Sequence, residues 1–135
     1  MDSISIKVPV KVKAKLTEKL KERLIAESEE KLNRVELDLQ QLAIQEKKAV
    51  EENKEDPRRL QIIHDQFGAE RAKMLQFRHQ TSQQLEDIKK LAIGAEITNG
   101  NVFERQVELR VGDNLHDIMN VEVLVEDDKV IAIRG

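Results

Sequence analysis

The sequence predicts an α+β fold in which a long antiparallel two-helix coiled-coil hairpin accompanies a small β head. Aromatic residues make up only 2% of the chain while 36% of its residues are charged, which is typical of helices that each bury one narrow stripe. Apolar residues recur at alternating spacings of three and four through two long central segments. Towards both ends of the chain the apolar period changes to two, which is the period of a strand with one buried face.

The first strand is predicted over residues 3–12. Its apolar residues fall at every second position, so they share one face. Pro9 lies on the opposite, polar face and has no amide hydrogen to donate to a neighbouring strand. We therefore expect this strand to lie at an edge of the sheet or to pair on one side only.

Two helices are predicted within residues 16–94. Thr17 is suited to cap the first helix, and Asp56 and Pro57 are suited to the cap and first turn of the second. Because the connection between the two helices has only a few residues, they must fold back antiparallel. The tip of the hairpin is therefore expected near residues 54–57.

Each predicted helix carries one apolar stripe that is interrupted by polar residues. The stripe of the first helix consists of Ile25, Leu32, Val35, Leu39, Leu42 and Ala49, with polar gaps at Ser28 and Glu46. The stripe of the second consists of Leu60, Ile63, Phe67, Met74, Phe77, Ile88 and Leu91, with gaps at Glu70, Thr81 and Gln84. Leaving such stripes in water would cost about 25 cal/mol per Å². Each helix is therefore expected to pack on the other, and leftover apolar surface predicts dimerisation.

After Gly94, which suits the end of the second helix, the period of two returns. The predicted elements are a turn at residues 98–101, a strand at 102–111, a helical turn at 115–119, and a hairpin of 121–125 with 130–133 across the turn 126–129. An isolated β-hairpin is marginally stable, so the first strand and these later strands need one another. The β head is therefore expected to be discontinuous, with residues 1–15 and 95–135, and the helical hairpin to be residues 16–94.

The segment Leu-Arg-Val-Gly-Asp-Asn-Leu-His-Asp at residues 109–117 and the closing strand that ends in Val-Ile-Ala-Ile-Arg134 resemble the YlqD family of bacterial proteins. That family shows an N-terminal strand, a long charged coiled-coil region, a Val-Gly-Asp segment and a closing strand of this kind. An aromatic residue commonly follows Val-Gly-Asp-x in the family, whereas this chain has Leu115. The resemblance implies the same architecture over nearly the full length and implies no activity.

No group of residues predicts catalysis, a metal site or a cofactor. The chain has no cysteine, which excludes disulfides and thiolate ligands. His64 and His79 would be about 22 Å apart along one helix, too far to share a metal ion. Asp113, His116 and Asp117 could ligate a metal, but turn formation and capping explain them as well. We therefore expect a protein that is not an enzyme, takes no cofactor and has no small-molecule substrate.

Charge is unevenly distributed along the chain. Residues 1–34 carry a net charge of +3, and residues 94–135 carry −5, which argues against nucleic-acid binding by the C-terminal part. The candidate partner contacts are basic residues of the N-terminal region and of the hairpin tip, namely Lys7, Lys11, Lys13, Lys15, Arg58 and Arg59. Such cations could contact phosphates, but no aromatic platform for base stacking accompanies them.

Two functional hypotheses remain open from the sequence. The first is an interaction or structural protein whose coiled-coil arm binds a protein partner or itself, with a holdase-like chaperone as one variant. The alternative is a ribosome- or RNA-associated factor that uses the basic N-terminal region. No stretch approaches the roughly 20 apolar residues of a membrane span, and residues 1–15 do not resemble a signal peptide. A cytoplasmic location is therefore expected.

Overall fold

The computed structural model describes all residues 1–135 and confirms the predicted α+β class. Its elements are β1 (Ser3–Lys15), α1 (Glu18–Glu52), α2 (Pro57–Lys90), β2 (Glu96–Arg110), α3 (Leu115–Met119), β3 (Glu122–Glu126) and β4 (Lys129–Arg134). The chain divides into two compact units. The sheet unit comprises Met1–Lys21 and Leu91–Gly135, and the helical unit comprises Glu22–Lys90.

The sheet unit contains one mixed four-stranded sheet with the order β2-β1-β3-β4. β1 is antiparallel to β2 and parallel to β3, and β3 and β4 form an antiparallel hairpin. The prediction of an edge position is wrong for β1 as a whole, because residues 11–14 pair with β3. Pro9 nevertheless pairs on one side only, with Glu104 of β2, as its missing amide hydrogen requires.

One face of β1 supplies most of the core of the sheet unit. Its alternate residues Val8, Val10, Val12 and Ala14 are buried, and so is Leu16 directly after the strand. The backbone of Leu16 is fixed as well, since its N–H donates to the Ala95 carbonyl at 2.7 Å and its carbonyl accepts from the Gly94 N–H at 2.8 Å. The predicted period of two in this segment is thus confirmed and continues to Lys15.

β2 begins earlier than the sequence predicts, because the expected turn at residues 98–101 is a bulge inside the strand. The pairing register moves from Lys11 opposite Val102 to Lys13 opposite Thr98, so residues 99–101 lie opposite a single residue of β1. Gly100 has a φ of +81°, a conformation that glycine adopts without steric cost. Turn-forming residues therefore shift the register here without ending the strand.

The β3–β4 hairpin has the tight turn expected from its sequence. Asp127 and Asp128 connect the strands, and both have positive φ, 47° and 68°. Two consecutive positive φ values characterise the two-residue type I′ turn, whose twist matches that of the flanking strands. Asp127 is held further by its carboxylate, which accepts a 2.8 Å hydrogen bond from the Thr17 hydroxyl.

The helical unit is an antiparallel hairpin of α1 and α2. Both predicted caps are confirmed, because the Leu20 amide donates to the Thr17 hydroxyl at 3.1 Å and the Arg59 amide donates to the Asp56 carboxylate at 3.2 Å. Residues 53–56 join the two helices. The buried residues of the hairpin are Ser28, Val35 and Leu42 on α1, and Ile63, Thr81 and Leu85 on α2.

The predicted stripe of α2 is wrong at several positions. Phe77 is 45% exposed, whereas its neighbour Arg78 is half-buried and donates to Glu36 of α1 at 2.7 Å. Gln84 and Glu70, which the sequence places within the interface stripe, are both exposed. Leu85, next to Gln84, is buried instead. The reason is that arginine can lay its aliphatic stem across an interface and keep its charge on a carboxylate. Neither long helix, nor α3, is apolar enough along its length to cross a membrane.

Candidate functional site

The predicted cations of β1 lie along its polar face, opposite acidic and polar residues of neighbouring strands. Lys7 stands opposite Gln106 and Lys15 opposite Glu96, and directly opposed residues share a face of the sheet. The Lys13 ammonium lies 3.1 Å from a Glu122 carboxylate oxygen. Lys11 also pairs with Glu122 in the β1–β3 register. The structure therefore brings these lysines together but sets carboxylates among them.

A further ion-pair cluster joins residues of β2, β3 and β4. The Arg134 guanidinium donates to both Glu96 carboxylate oxygens, at 3.1 and 2.9 Å, and lies 3.0 Å from Glu122. The hydrogen bond from Arg134 holds the pKa of the Glu96 carboxyl below its usual value. The same contact raises the pKa of Arg134. This bidentate geometry gives a strong charge-assisted interaction, and the two carboxylates are shared with β1, since Glu96 stands opposite Lys15 and Glu122 pairs with Lys13.

Arg58 and Arg59, the other predicted contacts, lie in the first turn of α2 and are exposed. They line a shallow cleft of about 630 Å³ beside the connection between the helices. Ile62, which is 54% exposed, also lines this cleft. These two arginines belong to the helical unit, whereas the four lysines belong to the sheet unit.

One side of the helical hairpin is closed by ion pairs between α1 and α2. Arg78 pairs with Glu36, as described above. The Arg71 guanidinium contacts Glu46, and the His64 imidazole lies 3.6 Å from the same carboxylate. We call this the closed side.

The other side of the hairpin has no such bridges and contains a groove of about 420 Å³. Its position follows from helix geometry, since Arg34 and Glu36 flank the buried Val35 and neighbouring residues point about 100° apart. Glu36 therefore reaches the closed side while Arg34 lines the groove. The groove is lined by Val35, Met74 and Phe77 as apolar residues and by Lys31, Arg34, Asp38 and Lys73 as charged residues. We call this side of the hairpin the open groove.

Sequence reasoning did not select the open groove as a site. It assigned Phe77 to the helix interface because the residue is apolar and has the expected spacing. A groove between two helices depends on which residues face each other across the interface, and one helix's pattern does not fix that register. The available signal was local: Arg34 next to Val35, and Lys73 next to Met74, place cations at the flank of each stripe.

Asp113 and Asn114 serve local structure, in agreement with the turn interpretation. The Asp113 carboxylate accepts the Arg110 amide hydrogen at 2.7 Å. The Asn114 side chain caps α3 by accepting from the Asp117 amide at 3.3 Å. The His116 ring contacts the amide of Asn120. No group of three or more histidine, aspartate or glutamate side chains in residues 1–135 could hold a metal ion.

Comparison with known proteins supports the architecture. The chain is similar to a protein of unknown function from Synechococcus sp. WH 8102, whose crystal structure matches with a TM-score of 0.83 and 25% sequence identity, covering 98% of this chain and 95% of that one. None of the curated proteins resembles the chain closely enough to count as a match. The model of the YlqD protein family matches residues 4–134, which is nearly the whole chain. The chain therefore belongs to the YlqD family.

Proposed function

We propose that this protein is a non-enzymatic interaction or structural protein whose helical hairpin binds a protein partner or a second copy of the chain. The observation that carries the proposal is the difference between the two sides of the hairpin. Ion pairs satisfy the charges of the closed side. The open groove instead exposes part of its apolar floor, including Phe77, and has cations that form no ion pair. Apolar surface bordered by polar residues is characteristic of interaction sites.

Further apolar side chains of the hairpin support the same proposal. Leu37 and Ile44 are 60% and 68% exposed, and their spacing of seven residues places them on one face of α1. Ile62 is exposed beside the helix connection. Isolated exposed apolar residues are ordinary. Here, however, Leu37 and Ile44 share one face of α1, and the helical unit contains no third helix that could cover that face. A bound partner or second copy would remove such surface from water.

The test is affinity capture with the tagged full-length protein from bacterial lysate, with and without nuclease. Sedimentation of the purified protein at several concentrations is measured in parallel. We expect a set of captured proteins that survives nuclease treatment, or a concentration-dependent increase in mass. Loss of every partner on nuclease treatment, together with a monomer at all concentrations, would contradict the proposal and favour the RNA alternative.

Charge reversal in β1 separates the two readings further. The variant with Lys7, Lys11, Lys13 and Lys15 changed to glutamate removes the cations on which phosphate contact would depend. RNA binding through this strand would be lost in the variant and would weaken steeply with salt in the wild type. Hairpin-mediated protein capture should be retained. A matched reversal of Arg58 and Arg59 to glutamate tests the helix connection in the same assay.

A further inference from the structure

The floor of the open groove is apolar and can accommodate apolar side chains of a partner. Val35 is buried at its base, Met74 is half-buried, and Phe77 is 45% exposed at its edge. Phe77 is the only aromatic residue among these three. The volume of about 420 Å³ lies within the range of surface pockets that take up ligands or partner side chains.

The rims of the groove carry an excess of positive charge. Lys31 and Arg34 on α1 and Lys73 on α2 line it, against the single acid Asp38. None of these four side chains takes part in an ion pair. This distinguishes them from the arginines of the closed side, each of which has a glutamate partner. Glu27 and Glu30 lie beside Lys31 and Arg34 just outside the groove, so the excess of positive charge is confined to the lining of the open groove, which is complementary to negative charge.

We infer that the open groove binds an acidic amphipathic α-helix of a protein partner, an inference that rests on the proposed function and specifies its site and ligand. A groove between two packed helices accepts a third helix along its length, with apolar residues at positions i, i+3 or i+4, and i+7 pointing to the floor. Carboxylates flanking that apolar face then meet the three cations of the rims.

A second copy of this chain fits the groove less well. The exposed apolar face of α1, with Leu37 and Ile44, is the most suitable ligand that the chain itself offers. Gln40 and Gln41, which lie between Leu37 and Ile44 on the same face, are polar, so a second copy would leave the middle of the groove floor without an apolar contact. RNA fits less well too, because phosphates gain nothing from the apolar floor formed by Val35 and Met74.

The probe for the test is a designed helical peptide of 21 residues with leucines at the spacing given above and glutamates on both flanks. A matched peptide has lysine in place of each flanking glutamate. The protein contains no Trp or Tyr, so one Trp in each peptide reports binding by fluorescence. We expect the acidic peptide to bind the full-length wild type, to bind less tightly as salt rises, and to bind more tightly than the basic peptide.

Three variants locate the binding. The double variant Arg34→Glu with Lys73→Glu should weaken the acidic peptide by at least about tenfold and strengthen the basic one. Phe77→Ala should weaken both peptides. The control Lys47→Glu with Lys48→Glu makes the same charge change on α1 away from the groove and should leave the acidic peptide's affinity within about twofold. The circular dichroism of each variant shows that it is folded.

Several outcomes would overturn the inference. One is equal affinity of the wild type for the two peptides, and another is an equal effect of the groove and control variants. Binding of a single-stranded RNA oligomer through Arg34 and Lys73 without binding of the acidic peptide, or self-association abolished by Phe77→Ala, would also reject it. Nuclease-resistant partners combined with no acidic-peptide binding would overturn this inference while the proposed function stands. Absence of partners and of self-association would overturn both.

Discussion

Leucine side chains contribute unequally to the stability of this chain because their burial differs so much. Leu16 is 1% exposed and is among the most fully buried side chains. Leu37 lies on α1 and is 60% exposed. Removing apolar atoms costs free energy in proportion to the contacts and cavity left behind. The same chemical change should therefore have very different consequences at these two positions.

Leu16→Ala is expected to lower the free energy of unfolding by about 2–5 kcal/mol, the usual range for a buried leucine. Leu37→Ala should change it by less than about 0.5 kcal/mol, since the side chain is exposed and alanine favours a helix. Urea denaturation followed by circular dichroism measures both values. Equal losses for the two variants would mean that burial in this structure does not determine the energetics.

The pKa of Glu96 depends mainly on one neighbour, Arg134, and Lys13 and Lys15 add smaller effects in the same direction. Its pKa is lowered chiefly by the hydrogen bond from Arg134, so the charged carboxylate is favoured in the folded state. Stability from this contact is therefore present above the unfolded-state pKa of the group and is lost as the pH falls through the folded-state value. In ¹³C-detected NMR, Glu96 should titrate below the value usual for a glutamate, and Arg134→Gln should return its pKa towards that value. An unchanged Glu96 titration in that variant would rule out Arg134 as the cause.

At the scale of the element, two glycines show how position within or beyond a helix decides the effect of a side chain. Gly68 lies inside α2, and a Cβ built there meets no atom within 4 Å. Gly94 follows α2 and has a φ of +96°, again with open space around a Cβ. Neither position has a steric clash to consider. The difference is therefore purely one of backbone conformation.

Gly68→Ala should stabilise the protein by about 1 kcal/mol, because alanine is the stronger helix former by that amount. Gly94→Ala should destabilise it by about 1–2 kcal/mol, because L-residues are strained at positive φ. Thermal melting of the two single variants and the double variant measures the opposing shifts. A gain in stability from Gly94→Ala would contradict the left-handed conformation assigned to this residue.

The elements also show which signals in the sequence were sufficient. The caps Thr17 and Asp56 were predictable because their chemistry acts within three residues of the chain. The exchange of Phe77 for Arg78 at the helix interface was not, because it depends on Glu36 of the other helix. The bulge at Gly100 likewise depends on the register with β1. The open groove likewise depends on which residues of α1 and α2 face each other. Its cations and apolar residues could be identified in the sequence, but their arrangement around one groove could not be predicted.

At the scale of the whole molecule, the helical unit is an insertion into the sheet unit. Residues 22–90 interrupt a unit whose two segments are held together by their own contacts. The Lys21 ammonium donates to the Leu91 carbonyl at 2.7 Å, so the chain leaves and re-enters the sheet unit at neighbouring points. The sheet unit also has buried residues of its own, among them Val8, Val12 and Leu124. These features predict that the sheet unit can form without the insertion.

Replacing residues 22–90 by a six-residue Gly/Ser linker should preserve the sheet. Such a linker has an end-to-end distance of about 13 Å, enough to join two points linked by one lysine side chain. We expect a cooperative urea transition and NMR contacts across Lys13 and Thr98, which are paired in β1 and β2. Leu124→Ala in the shortened protein should abolish that transition, because Leu124 is buried in the sheet unit. If the shortened protein shows no NMR contacts between β1 and β2, or no cooperative urea transition, the sheet needs the helical insertion to fold.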